Sequence, residues 1–282
     1  MIGLSSVKAE FLGHHEICKR SNLLSCLPTN MLGLITDSPK DILAIALFPF
    51  SRERIGRTAM DFGVTFAFLS LDKETSPRVW QLSDWSAKQG LRPKTPQSWY
   101  VPGFLFYDSI MTHALPIMHV SAAVANDYKL YRASLLGMKV WVYSILVPIP
   151  FRYAVQRSYP YNKKGELNSP YDFHSGDDFD KNQSVLKGAG SFPSFRAAMW
   201  FALADTFAFE YGNKFAWYTT ASALTLLADH CHWTSDLVFG AFVGLSVSQS
   251  VRTRYLNDKP RTFIFFPFVG LNLIGVSLSK TW

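Results

Sequence analysis

Charge is the scarce ingredient of this chain. Asp, Glu, Lys and Arg supply only 17% of its 282 residues, where soluble domains carry about 25%. That shortage points to a membrane-embedded or very apolar helical protein. A mean hydropathy of only +0.06 tempers the reading, because a bundle made purely of spanning helices usually scores higher. Cysteine is scarce as well. Cys18, Cys26 and Cys231 are odd in number and fall at unrelated spacings, so they imply no disulfide framework and leave the redox compartment open. Residues 1–40 hold no apolar run of the length a secretory signal needs, so a signal has been removed or is not used. The net charge is +7, but the Lys and Arg are scattered, with no stripe and no recognition motif. Nucleic acid is therefore not an expected partner.

What the chain does have is apolar residues, 48% of the total, and aromatics, 15%. They gather in segments. Residues 42–50 read as a short surface-hugging piece, and Arg52-Glu53-Arg54 separates them from a helix at 58–71. Residues 72–100 are polar with several Trp and read as mixed helix and loop. Residues 102–125 are long enough to span a bilayer. They carry Asp108, His113, Pro116 and His119, so a spanning helix here needs a buried polar side, while in a soluble core helix the same residues are unremarkable. A further segment, 133–150, ends in the helix breakers Pro148 and Pro150. The most loop-like region is 162–190, whose Asp177, Asp178 and Asp180 do not fit a calcium loop and read as a solvated turn. Three more apolar segments follow at 195–211, 215–228 and 237–251. In the last, Gly240 and Gly244 form a small-xxx-small pair that lets helices approach closely, and Arg252, Arg254 and Lys259 flank its end, suiting the helix dipole or a lipid headgroup region. Residues 262–282 turn β-prone and read as a short hairpin or extended tail.

Chemistry concentrates in two places. One is Ser191-Phe192-Pro193-Ser194-Phe195-Arg196-Ala197, and the other is His232-Trp233-Thr234-Ser235-Asp236. His232 and Asp236 are four residues apart, which on a helix puts both on one face, so the carboxylate can orient the imidazole. An oriented His suits nucleophilic or acid–base catalysis. The same spacing also makes an ordinary helix-stabilising contact. His14, His15 and Cys18 carry metal-binding groups but have no second ligand cluster, and no metal site is assigned.

Taken in order, three stretches resemble the type 2 phosphatidic acid phosphatase / vanadium haloperoxidase superfamily, whose motifs run K-x6-RP, PSGH and S-R-x5-H-x3-D. Here the first reads Arg152-x6-Tyr159-Pro160, with Arg157 and Tyr161 beside it. The second reads Pro193-Ser194-Phe195-Arg196, and the third Thr225-Leu226-x5-His232-x3-Asp236. The resemblance covers residues 38–255, with 1–37 as a lead-in and 256–282 as an extended C-terminal appendage. It implies an all-α bundle of about five or six core helices, with a short C-terminal β-hairpin as an option. It also implies hydrolysis of a phosphoester, with His232 attacking phosphorus and Asp236 orienting it. The implied partners are a phospholipid or another phosphorylated small molecule and a membrane, suspected to be a bacterial envelope. No cofactor is implied.

The departures from the pattern bear on activity. The PSGH His, which protonates the leaving group, is matched by Arg196, a cation that binds phosphate but donates a proton poorly. The motif glycine is matched by bulky Phe195, the first-motif Arg by Tyr159 and the third-motif Arg by Leu226, while the first-motif Lys remains a cation as Arg152. A lost general acid costs about 10²–10⁴ in rate and one lost electrostatic contact about 10²–10³. Arg152, Arg157 and Arg196 can still gather around an anion, with Ser194 as hydroxyl donor. Two readings stand: a phosphatase with a modified site, or a family member that binds a phosphorylated lipid or a partner, or serves a structural role, without turnover. A haloperoxidase is the weaker reading, since vanadate needs the same cationic cradle.

Overall fold

The computed structural model describes residues 23–25, 27, 38–52, 54–89, 102–161, 167–173, 190–228, 232–256, 263–269 and 274–280. His14, His15, the three cysteines, the acidic run at 177–180 and Lys259 lie outside the described residues. In chain order the elements are α1 (Ser38–Leu47), a 3₁₀ turn (Phe48–Phe50), α2 (Ile55–Ser70), α3 (Asp72–Lys88), α4 (Pro102–Val124), α5 (Tyr128–Leu146), α6 (Pro148–Val155), α7 (Phe195–Tyr211), α8 (Lys214–Ala228), α9 (Thr234–Leu256), β1 (Phe263–Val269) and β2 (Ile274–Lys280). The protein is an all-α helical bundle. β1 and β2 add an antiparallel hairpin after it, in a register that pairs Phe263 with Lys280 and Val269 with Ile274.

The bundle is organised around α7. This helix is buried on nearly every side, its few polar residues included, and a helix without a solvent face belongs in the interior. Ala197, Ala198, Met199, Ala202 and Leu203 are all buried, and α5, α8 and α9 pack against it from different directions. The alanines on α7 meet the glycines of α9. A Cβ on Gly240 would stand 2.5 Å from the Ser194 carbonyl oxygen, and one on Gly244 would strike the Ala198 carbonyl. The small-xxx-small pair therefore does what its spacing suggests: it lets two backbones touch. α2 lies along α9, with Phe62 against Phe239 at 5.1 Å between ring centroids. Leu115 of α4, Leu136 and Val140 of α5, and Val247 and Val251 of α9 complete the main core.

Local sequence explains the element ends, and in two places it does so differently from the expectation. Pro148 and Pro150 do not simply end a helix. Pro148 sits at the start of α6, where its missing N–H costs nothing and its fixed φ favours a new helix. Within the 72–100 stretch expected as mixed helix and loop, residues 72–88 form one continuous helix, α3, and 90–101 lie outside the described residues. Its buried residues, Asp72, Ser76, Trp80, Ser83, Ser86 and Ala87, recur at helical spacing, so one polar and aromatic stripe faces inward. α5 begins five residues before the apolar run because Asp127 caps it, accepting from the Leu130 N–H at 3.0 Å. The buried polar side expected in the 102–125 segment is present at His119, which stacks on Tyr131 at 4.1 Å and bonds through Nδ1 to the Tyr131 carbonyl at 3.1 Å.

Candidate active site

The inward stripe of α3 holds the chain that links α8 to α9. Ser86 donates to the Leu227 carbonyl at 2.6 Å, and the Trp80 indole N–H to the His232 carbonyl at 3.0 Å. One turn further up, the Thr234 N–H donates to Ser76 Oγ at 3.0 Å and the Ser235 N–H to Asp72 Oδ1 at 2.9 Å. The first N–H groups of a helix have no partner within it. Here α3 supplies them, and Asp72 also places a carboxylate at the positive end of α9.

Arg157 locks this junction from the other side. Its side chain is fully buried. Nη1 donates to Asp236 Oδ1 and to Ser235 Oγ, both at 2.6 Å; Nη2 donates to Asp72 Oδ2 at 2.7 Å and to the Pro170 carbonyl at 2.6 Å; Nε donates to the same carbonyl at 2.9 Å. One guanidinium thus bridges two buried carboxylates. Burial pushes the Asp72 carboxyl up, and Arg157 and Ser235 offset only part of that. Burial acts on Asp236 as well, but Arg157, His232 and the Trp233 N–H outweigh it and hold this carboxyl below the usual range.

Asp236 is therefore fixed and ionised when it meets His232. Its Oδ2 accepts from the Trp233 N–H at 3.0 Å and stands 3.6 Å from His232 Nδ1. A carboxylate beside Nδ1 leaves Nε2 as the nitrogen available for chemistry. The imidazole is buried but not sealed, at 8% exposure. Tyr159 flanks it, ring to ring at 5.8 Å, and the Tyr159 hydroxyl accepts from Arg152 Nη2 at 2.8 Å. Arg152 also lies over the Phe195 ring at 4.1 Å.

Ser194 reaches the same place by its backbone. Its N–H donates to the Asp236 carbonyl at 3.1 Å, while its buried hydroxyl caps α7 by accepting from the Ala197 N–H at 3.3 Å. Arg196 stands in the first turn of that helix, 9% exposed. The three sequence stretches thus converge. Arg157 ties the first to the third, Trp233 Nε1 donates to the Ser158 carbonyl at 2.9 Å, and Ser194 ties the second to the third. All three nitrogens of Arg157 are bonded within the protein, and the Ser194 hydroxyl oxygen accepts at the cap of α7. Thr225 and Leu226 lie on α8, with the Thr225 hydroxyl buried. Sequence reasoning missed Asp72, Ser76 and Trp80. Their spacing of four was the available signal. Among the described residues, no three His, Cys, Asp or Glu side chains gather into a metal-holding group.

Over 68 residues the chain is 35% identical to the Lipid A 1-phosphatase of Porphyromonas gingivalis. The alignment takes in 22% of this chain and 15% of that protein, so the chain spans under a sixth of the relative's length. The likeness is to a lipid phosphatase and is confined to that stretch. No known protein family matches the sequence, and no solved structure matches it.

Proposed function

We propose that this protein is a membrane-associated, phosphatase-like protein of the phosphatidic acid phosphatase type, with residues 38–255 as its helical unit and a phosphorylated lipid as its substrate class. In this reading His232 Nε2 attacks phosphorus, the P–O bond to the lipid alcohol breaks, and the leaving oxygen takes its proton from water, because Arg196 is a poor donor. Water then cleaves the phosphohistidine. Asp236 orients the imidazole and stabilises its charge. Arg157 acts through Asp236 as a positioning residue, and Arg152 and Arg196 are the cations left to meet phosphate oxygens. The observation that carries the reading is the buried His232–Asp236 pair at the start of α9, held by a guanidinium from the first motif region. The short similarity to Lipid A 1-phosphatase supports it.

Membrane association has its own support. α5 and α6 together, Tyr128–Val155, are long and apolar enough to cross a bilayer, although 56% of the most apolar window is buried in the protein. Leu43, Leu47, Phe66, Ile117 and Val124 are each more than half exposed, and large exposed apolar side chains in number mark a lipid or protein contact. The membrane of a bacterial envelope fits this reading.

A second reading, binding without turnover, is favoured by one contact. The Phe195 ring fills the place of the motif glycine and holds the Arg152 guanidinium at 4.1 Å. The deciding experiment is phosphate release by purified, detergent-solubilised protein on phosphatidic acid, an isoprenyl pyrophosphate and a generic phosphomonoester. Release that disappears in His232→Ala, with a trapped phosphohistidine in the wild type, is the expected outcome. No release above that variant on any substrate would leave the binding reading.

A further inference from the structure

A second buried charge cluster lies at the opposite end of the α2–α9 pair. Arg252 sits 16 residues beyond Asp236 on α9, about 24 Å along the axis. Its Nη1 donates to the Asp205 carboxylate and carbonyl of α7 and to Ser248 Oγ at 3.2 Å, while the Tyr218 hydroxyl of α8 donates to the other Asp205 oxygen. α2 brings Arg54, Arg57 and Asp61 to this group, and Lys214 adds a further positive charge near Asp205. Three guanidiniums face two carboxylates.

The cluster is buried but unfinished. Arg54 is 3% exposed and Arg57 8%. Arg54 Nη1 and Arg57 Nε and Nη1 are shielded from solvent and make no hydrogen bond among the described residues. Asp61 Oδ2 stays 3.8 Å from Arg57 Nε, and Asp61 Oδ1 likewise makes no bond. Desolvated guanidinium donors are costly unless bonded. Their location is also unusual. Arg54 is the N-cap of α2 and Arg57 lies in its first turn, at the positive end of the helix, where no side chain caps it and the first turn holds no acidic residue; Glu53, just before it, lies outside the described residues. Cations at that end oppose the dipole, and an anion completes it. Burial first, then Arg57, pulls the Arg54 guanidinium down to about 10, and Asp61 and Asp205 offset only part of that.

We propose that the first turn of α2 is an oxyanion-binding site, separate from His232, in which Arg54 and Arg57, backed by Arg252, hold a phosphate-class group. The planar donors suit phosphate oxygens, and the group is supplied either by a lipid headgroup or by free phosphate. The proposal does not depend on turnover at His232.

The test is thermal unfolding of the full chain in detergent, with inorganic phosphate titrated against chloride at matched ionic strength. A parallel arm compares mixed micelles containing phosphatidic acid with micelles containing phosphatidylcholine. At ten times its Kd the ligand raises the midpoint by about 3–6 °C. Arg57→Gln weakens the apparent affinity by about tenfold or more. Asp61→Asn, which removes a competing carboxylate, tightens it, so opposite signs from neighbouring substitutions separate binding from a merely structural role. All titrations use an Arg196→Gln background, which weakens phosphate contact at the His232 site, and Lys73→Gln, an exposed cation of α3, leaves the shift in place. A shift with inorganic phosphate supports a free anion, and a shift with phosphatidic acid micelles alone supports a headgroup. No shift in either arm, or a shift that survives Arg57→Gln or vanishes in Lys73→Gln, overturns the proposal.

Discussion

The two ends of the α2–α9 pair carry the same chemistry in opposite states of completion. At the start of α9, Arg157 spends every nitrogen on partners within the protein and is shared between Asp72 and Asp236. At the start of α2, Arg54 and Arg57 are equally buried yet keep bare donors. One end has more carboxylates than guanidiniums, and the other has the reverse. A saturated guanidinium holds geometry, and an unsaturated one holds a ligand. Arginine count and burial alone would not have told them apart; the hydrogen-bond accounting does.

Substitutions should break this contrast unequally. The largest effect belongs to Arg157→Met. It leaves two carboxylates buried without their cation, so stability falls by about 3–5 kcal/mol, read as a lower denaturant midpoint. If Arg157→Met and Arg57→Met cost the same, the distinction between the ends fails. Next comes Gly244→Val, placed between the two clusters. Its side chain meets the Ala198 backbone, which cannot yield as a flexible side chain would. We expect a loss of about 1–3 kcal/mol and weaker protection from hydrogen exchange in both α7 and α9. Ser76→Ala removes the acceptor for the Thr234 N–H and should cost about 1 kcal/mol, with phosphate release reduced because the start of α9 carries His232.

The smallest effects are in pH, and Asp236 and Asp61 differ in sign. Asp236 is held below the ordinary carboxylate range, so its stabilisation is present above about pH 4 and is lost as the pH falls below that. Burial pushes Asp61 the other way, up to about 6, against the pull of Arg57 and Arg54. Its contribution is present below about pH 4 and is lost as the pH rises through about 6. Asp61→Asn should therefore flatten the stability profile between about pH 4 and 6, and Asp236→Asn should flatten it only below that window. Melting midpoints measured at half-unit pH steps check both.

Much of this fold is legible in the sequence, because long apolar segments have few alternatives to burial. α7 and α8 fall within one residue of the expected 195–211 and 215–228 segments, the hairpin lies where β-prone residues replace the apolar helices, and Gly240 and Gly244 announce the α7–α9 contact. The His232–Asp236 pair is visible as a spacing of four, but not as one helix face: His232 stands two residues before α9, and Asp236 reaches back to it from the first turn. The support for that pair is harder to read, because it comes from far along the chain. Nothing near Asp236 reveals that Arg157 will reach it, and Asp72 looks like part of a polar surface helix until its partners at 157 and 235 are known. Arg54 and Arg57 are equally obscure in sequence. Arg54, in the run Arg52-Glu53-Arg54, and Arg57, three residues on, resemble solvated charge between two apolar segments, and only burial makes them exceptional.

The reach of Arg157 has a consequence for how the chain assembles. Its bonds to Asp72 and Asp236 span 85 and 79 residues, and the Asp72 bond to the Ser235 N–H spans 163. Contacts of such separation are slow to form, because long loops must close before any stabilisation returns. A chain with α7 and α8 already paired still has no oriented imidazole to offer. It gains one only when α3, the segment around residue 157 and the start of α9 arrive together. Under the proposed function, nascent or partly unfolded protein is thereby silent toward phosphoesters, and the appearance of His232 reactivity during refolding would time the last long-range closure of the bundle.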